Sequence, residues 1–116
     1  MSALADMSEL TDYLQELLRD FGPIQAKRMF GGYGIYHQGL MFALIADDTL
    51  YLKADDQNRG AFEQLDLPAF RYAKQGKEVT MSYYQAPADM LEEPEQAIYW
   101  ARLAYAAALR ARPLKK

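Results

Sequence analysis

Leu10, Leu14, Leu17, Leu18 and Phe21 recur at helical spacing, while Asp12, Glu16, Arg19 and Asp20 occupy the remaining surface. This stripe predicts a helix from about Ser8 to Phe21. Ser8 is placed as its N-cap, its hydroxyl accepting from a free backbone N–H, and Gly22-Pro23 ends it for backbone reasons. The pattern then changes to short apolar, β-branched and aromatic runs broken by Gly and Asp. These predict strands at Ala26–Phe30, Gly34–Tyr36, Leu40–Ala46 and Thr49–Ala54 in one antiparallel meander. Met41 to Ala46 is apolar without alternation, as in a central strand covered on both faces. Leu50 and Leu52 alternate with Tyr51 and Lys53, as in a half-exposed neighbour.

Asp56 or Asn58 is expected to cap a short helix through Phe62 and Leu65, closed by Pro68. Phe70–Lys74 and Glu78–Tyr84 form a second hairpin around Gln75-Gly76-Lys77, with Val79, Met81 and Tyr83 on one face. Pro87–Leu91 reads as a helical turn, and Glu93-Pro94-Glu95 opens a last helix running to about Ala111. That helix is apolar on two sides. Ile98, Ala101, Tyr105 and Ala108 line one stripe, and Trp100, Leu103, Ala104 and Ala107 another. It should therefore pack between the sheet and a further surface, either the first helix or a second copy of the chain. The pattern as a whole predicts an α+β fold of two layers, an antiparallel sheet of meander plus hairpin packed by helices. Residues 1–112 are read as one domain and 113–116 as a basic tail.

Composition bounds the function. The 116 residues, 51% hydrophobic and 25% charged, fit a single globular domain. No apolar run approaches a membrane span, the N-terminal segment lacks the pattern of a signal peptide, and cysteine is absent, so a cytoplasmic location is expected. The net charge is −3, with an acidic first helix and a basic C-terminal end carrying Arg102, Arg110, Arg112, Lys115 and Lys116. Mutual attraction of the two helices accounts for this more simply than a nucleic-acid footprint, which needs a basic excess.

Recognisable chemistry is lacking. Gly32-Tyr-Gly34 is followed by His37 where a dinucleotide fingerprint needs its third glycine, and by a strand where it needs a helix. Gly34 and Gly39 have phosphate-loop separation, but Leu40-Met41 replaces the required Lys and Ser or Thr. Gly31, Gly32 and Gly34 are expected instead to form a bulge or bend needing positive φ. His37 is the only histidine and reads as a turn residue; Ser2, Ser8 and Ser82 have no adjacent base. Asp47-Asp48 and Asp55-Asp56 lack calcium-loop spacing and read as local backbone caps. No catalytic, cofactor-binding or metal-binding residue is assigned, and no cofactor is expected. Tyr33 and Tyr36 following Arg28, Tyr51 beside Lys53, and Tyr72 beside Arg71 suggest aromatic and cationic groups on one sheet surface, as in sheets that stack single-stranded bases. Sheet packing or a protein interface explains the same tyrosines more readily.

The order Arg28-Met-Phe-Gly-Gly-Tyr-Gly-Ile-Tyr36, then Gly39-Leu-Met-Phe-Ala-Leu44, then Leu50-Tyr-Leu-Lys53 resembles the N-terminal domain of the TfoX/Sxy competence regulators, here in a stand-alone form. The resemblance covers nearly the whole chain. It implies an antiparallel sheet covered by helices on one side, and a bacterial family whose two-domain members promote transcription of DNA-uptake genes together with the cAMP receptor protein. No catalytic residue is established for this module. The expected function is a non-enzymatic regulator or protein-interaction domain linked to competence, with Arg28, Lys53, Arg71, Trp100 and Tyr105 as candidate surface residues. Its partner would be transcription machinery or a second copy bound through the last helix. The alternative is a nucleic-acid binder using Arg28, Lys53, Arg71, Lys74 and the tail from Arg110 to Lys116.

Overall fold

The computed structural model describes residues 7–29 and 32–112. Phe30 and Gly31 of the family-like stretch, and the basic tail from Pro113, lie outside the described residues. The elements follow the order α1 (Met7–Leu17), β1 (Gln25–Met29), β2 (Gly32–His37), β3 (Leu40–Ala46), β4 (Thr49–Lys53), α2 (Arg59–Glu63), β5 (Ala69–Lys74), β6 (Lys77–Gln85), a 3-10 turn at Ala88–Leu91, and α3 (Pro94–Ala111). All six strands join one antiparallel sheet in the order β1-β2-β3-β4-β6-β5. The expected α+β fold is present.

Turn chemistry sets three of the strand junctions. Gln38 and Gly39, Asp47 and Asp48, and Gln75 and Gly76 each have positive φ at both central positions of a two-residue loop. That backbone has the twist needed to join two antiparallel strands. Asp and Gln occupy the left-handed region at some cost, which the paired strands on either side of each loop offset. The second hairpin does not extend the meander in chain order: β6, not β5, lies against β4, with Lys53 opposite Tyr83 and Leu52 opposite Tyr84.

Helices cover one face of the sheet. Ile35, Ala43, Ile45, Leu50 and Leu52 project toward them and join Leu10, Leu14, Leu18, Phe62, Met90, Trp100 and the α3 alanines in a single core. Small residues at Ala97, Ala101, Ala104 and Ala108 let the helix backbone approach the sheet closely. The second apolar stripe of α3 meets other elements of the chain. The Trp100 ring packs at a tilt against Phe62 of α2, 5.2 Å between centres, and α3 also touches α1 and the 3-10 turn.

Several local expectations need correction. Helix α1 is already formed at Met7, so Ser8 lies within its first turn and is not the cap. Asn58 stands at the N-terminus of α2 without capping it. The carboxylate of Asp55 accepts there instead, from the backbone N–H groups of Gln57 and Asn58. Gly32 and Gly34 lie inside β2 and neither has positive φ. What they supply is room: a Cβ on Gly32 would stand 1.9 Å from the carbonyl oxygen of Ile45, and one on Gly34 would stand 2.6 Å from Met29 Sδ. The irregularity in register falls one residue later, between Ile35 and Tyr36.

Candidate interaction surface

The opposite face of the sheet carries no described helix. Strand alternation sends Lys27 and Met29 of β1, Tyr36 of β2, Leu44 of β3, Tyr51 and Lys53 of β4, and Tyr83 of β6 to that side, and the register shift opposite Ile35 and Tyr36, which leaves Phe42 unpaired, brings Met41 of β3 there as well. Leu44 and Tyr83 are nevertheless only 4% and 5% exposed. Both faces of β3 are thus buried, as its unbroken apolar run predicts, but side chains of the open face itself enclose the outer one. Met29, Met41 and Tyr36 close over the space left by Gly34.

Aromatic and cationic groups interleave across this surface. The ammonium of Lys27 lies 4.7 Å from the centre of the Tyr36 ring, and that of Lys53 lies 5.2 Å from the Tyr83 ring while donating to Ser82 Oγ at 2.9 Å. Tyr51 meets Phe70 of β5 edge-on at 4.9 Å. Burial, reinforced by the neighbouring Tyr36, pushes the Tyr83 phenol up to about 12. Burial also raises the pKa of Tyr51, with a smaller contribution from the Asp47 carboxylate. The face is thus a half-buried, methionine- and tyrosine-rich layer rimmed by two lysines.

The residues singled out from sequence divide between surfaces. Lys53 belongs to the open face. Arg28 points to the helical side at the sheet margin, 5.9 Å from the Tyr33 ring, and Arg71 on edge strand β5 stands 3.9 Å from Glu78. Trp100, 6% exposed, is a core residue and offers no surface, because the side of α3 that carries it is packed against α2. Tyr105 is half-buried in an aromatic cluster with Phe21, Phe42 and His37. His37 is the last residue of β2, held by a 2.7 Å hydrogen bond between Nδ1 and the carbonyl of Pro23 and packed on Phe21. Lys27, Met41, Leu44 and Tyr83 escaped the sequence reading of a surface. They come from β1, β3 and β6, and only strand pairing, with the register shift in β3, puts them side by side.

The remaining surface offers shallow, open depressions, one of them along α3 between Ile98, Tyr99, Arg102, Leu103 and Ala106. Among the described residues no three His, Asp or Glu side chains gather in a metal-binding group.

The family model of the TfoX N-terminal domain matches residues 16–108, a span that takes in the whole sheet and most of α3. The chain belongs to the TfoX N-terminal domain family. It is 27% identical over 105 residues to the DNA transformation protein TfoX1 of Aliivibrio fischeri, an alignment covering 84% of this chain and 50% of that protein. It is likewise 27% identical over 96 residues to protein Sxy of Escherichia coli, covering 83% of this chain and 46% of that protein. The chain therefore spans about half the length of these curated relatives. The TfoX N-terminal motif maps onto β1 to β4 and contributes to both faces. Gly32 and Gly34 permit the close packing of β2, Leu50 and Leu52 enter the core, and Tyr51 and Lys53 face outward.

Proposed function

We propose that the chain is a non-enzymatic protein-interaction module that acts in the cytoplasm in regulating DNA uptake, and that it engages its partner through the open face of the sheet. The observation that carries this reading is the apolar, aromatic layer of Met29, Tyr36, Met41, Tyr51 and Tyr83 on a face that no described helix covers. Aromatic and methionine side chains with a basic rim supply large contact area at low ordering cost. The link to DNA uptake rests on family membership and on the name of the TfoX1 relative. No helix of the described residues is long and apolar enough to cross a membrane.

A nucleic-acid partner is the second reading, favoured by the two lysine–tyrosine pairs on one face. It has less support. The ring faces of Tyr36 and Tyr83 are already occupied by lysines, the net charge is −3, Arg71 has Glu78 for a neighbour, and Arg110 is held by Asp55.

Photo-cross-linking in the source cells tests the proposal, with a photoreactive residue at position 41 on the open face or at position 102 on the exposed side of α3. Discrete protein adducts from position 41, insensitive to nuclease, are the expected result. Nucleic-acid adducts or none from position 41 would overturn it. An adduct of twice the chain mass from position 102 alone would favour a second copy bound along α3 instead.

A further inference from the structure

The charge on the open face has one sign. Along β1 to β4 the outward strand positions carry Lys27 and Lys53 and no carboxylate, although the chain as a whole is acidic. Asp47 and Asp48 sit in the turn before Thr49, at the end of β4 away from Lys53, and the carboxylate of Asp55, two residues beyond Lys53, is engaged by Arg110. Neither lysine has a carboxylate partner among the described residues; each rests its ammonium on a tyrosine ring. An approaching carboxylate would therefore meet two cations that lie over tyrosine rings and are paired with no acid.

Backbone pairing restricts the shape of the occupant. The backbone groups of β2, β3 and β4 bond to neighbouring strands on both sides, so this face offers side chains and no ladder for an incoming strand. A helix satisfies its own backbone and presents only side chains, which suits such a surface. Lys27 and Lys53 lie on strands three places apart in the sheet, about 14 Å at about 4.8 Å per strand. That separation corresponds to roughly two and a half helical turns. Between them, Met29 and Met41 close over Gly34 with flexible thioethers that can move to admit a bulky apolar group.

We propose that the open sheet face docks an acidic amphipathic helix of a partner protein, its apolar stripe lying across Met29, Met41 and Tyr51 and its carboxylates meeting Lys27 and Lys53. This inference rests on the interaction reading above and narrows it to one chemistry of partner.

The test uses the full chain with isotope-labelled methionine methyls. Three probes are titrated: a synthetic helical peptide of about 18 residues (about 27 Å long) with a leucine stripe flanked by glutamates, the same peptide with lysines for glutamates, and oligothymidylate. The acidic peptide is expected to bind at least about tenfold more tightly than the basic one and to shift the methyl signals of Met29 and Met41. In the Lys27→Glu/Lys53→Glu variant the order of the two peptides reverses. Lys27→Gln/Lys53→Gln, which asks less of the fold, loses the preference, and Arg102→Glu on α3 leaves it intact. Equal affinity for both peptides, no binding of either, or methyl shifts with oligothymidylate alone would overturn the proposal. If protein adducts still form at position 41 while the acidic peptide fails, the acidic helix is wrong and the interaction reading stands. If neither is seen, both fall.

Discussion

Arg110, in the last turn of α3, grips the carboxylate of Asp55 with two hydrogen bonds, Nε to Oδ2 at 2.6 Å and Nη2 to Oδ1 at 2.9 Å. The pair ties the end of the last helix to the segment between β4 and α2. The same carboxylate also accepts from the backbone N–H groups of Gln57 and Asn58, so it caps one element while anchoring another.

The hydrogen bonding of Arg110 holds the Asp55 carboxyl down, from 3.8 to about 2, against the opposing effect of burial and with lesser help from the two backbone donors. A carboxyl whose folded-state pKa is depressed contributes stability above its unfolded value and loses it as pH falls toward the folded one. Asp55→Ala is expected to lower stability by about 1–2 kcal/mol at neutral pH, the usual scale for a lost cap and charge-assisted hydrogen bond. In urea unfolding at several pH values, the gap between parent and variant should narrow between about pH 4 and about pH 2. A gap that stays constant through this window would show that the ionised pair is not its source.

Asn58 is 4% exposed and uses both ends of its amide. Oδ1 accepts from Asp55 N–H at 2.8 Å, and Nδ2 donates to the carbonyls of Lys53 at 3.2 Å and Leu103 at 3.1 Å. Asn58→Leu leaves those backbone groups without the amide in a dry place and should cost about 2–3 kcal/mol in urea unfolding. Asn58→Asp should do no better, because a carboxylate would face two carbonyl oxygens. A variant as stable as the parent would remove the amide from this bridging role.

The two glycines of β2 should respond differently to alanine. At Gly32 the added carbon meets backbone, 1.9 Å from Ile45 O, which cannot yield without breaking strand pairing. At Gly34 it meets the sulfur atoms of Met29 and Met41 at 2.6 and 2.9 Å, the far ends of flexible side chains. Gly34→Ala is expected to fold with a loss of about 1–2 kcal/mol, and Gly32→Ala to lose more than about 3 kcal/mol or to fail to fold. Thermal unfolding of the two variants checks the order, and equal losses would contradict it.

Tyr83 supplies an alkaline counterpart. Its phenol is raised to about 12 by burial and by Tyr36, so the folded protein resists an ionisation that the unfolded chain undergoes near 10. Stability from this group is complete below about pH 10 and declines as pH rises toward about 12. In Tyr83→Phe that part of the decline should vanish. Ultraviolet titration of the tyrosinates should likewise lose its last step. Loss of a step near pH 10, rather than of the last one, would mean that Tyr83 ionises freely at the surface.

Element order and type were legible from local pattern, because helical and alternating periodicities need only a few residues to declare themselves. Leu40–Ala46 was bounded correctly, and the two-residue loop at Gln75-Gly76 could be read from its glycine. The surface was harder to see. Tyr51 and Lys53 were noticed as neighbours, yet their companions Met41, Leu44 and Tyr83 come from other strands and become neighbours only through register. Trp100 reads as a surface residue from sequence because an apolar stripe does not say which neighbour will cover it; Phe62 of α2 does.

Sequence alone thus settled the helices, the strands, their antiparallel turns and the family-like motif, since each depends on interactions between residues close along the chain. Only the tertiary structure decided that β6 rather than β5 lies against β4, that Gly32 and Gly34 serve close approach rather than a bend, and which side of the sheet stays open. An alternating strand has two equivalent sides until distant segments pack on one of them, so the location of the interaction face is a property of long-range packing.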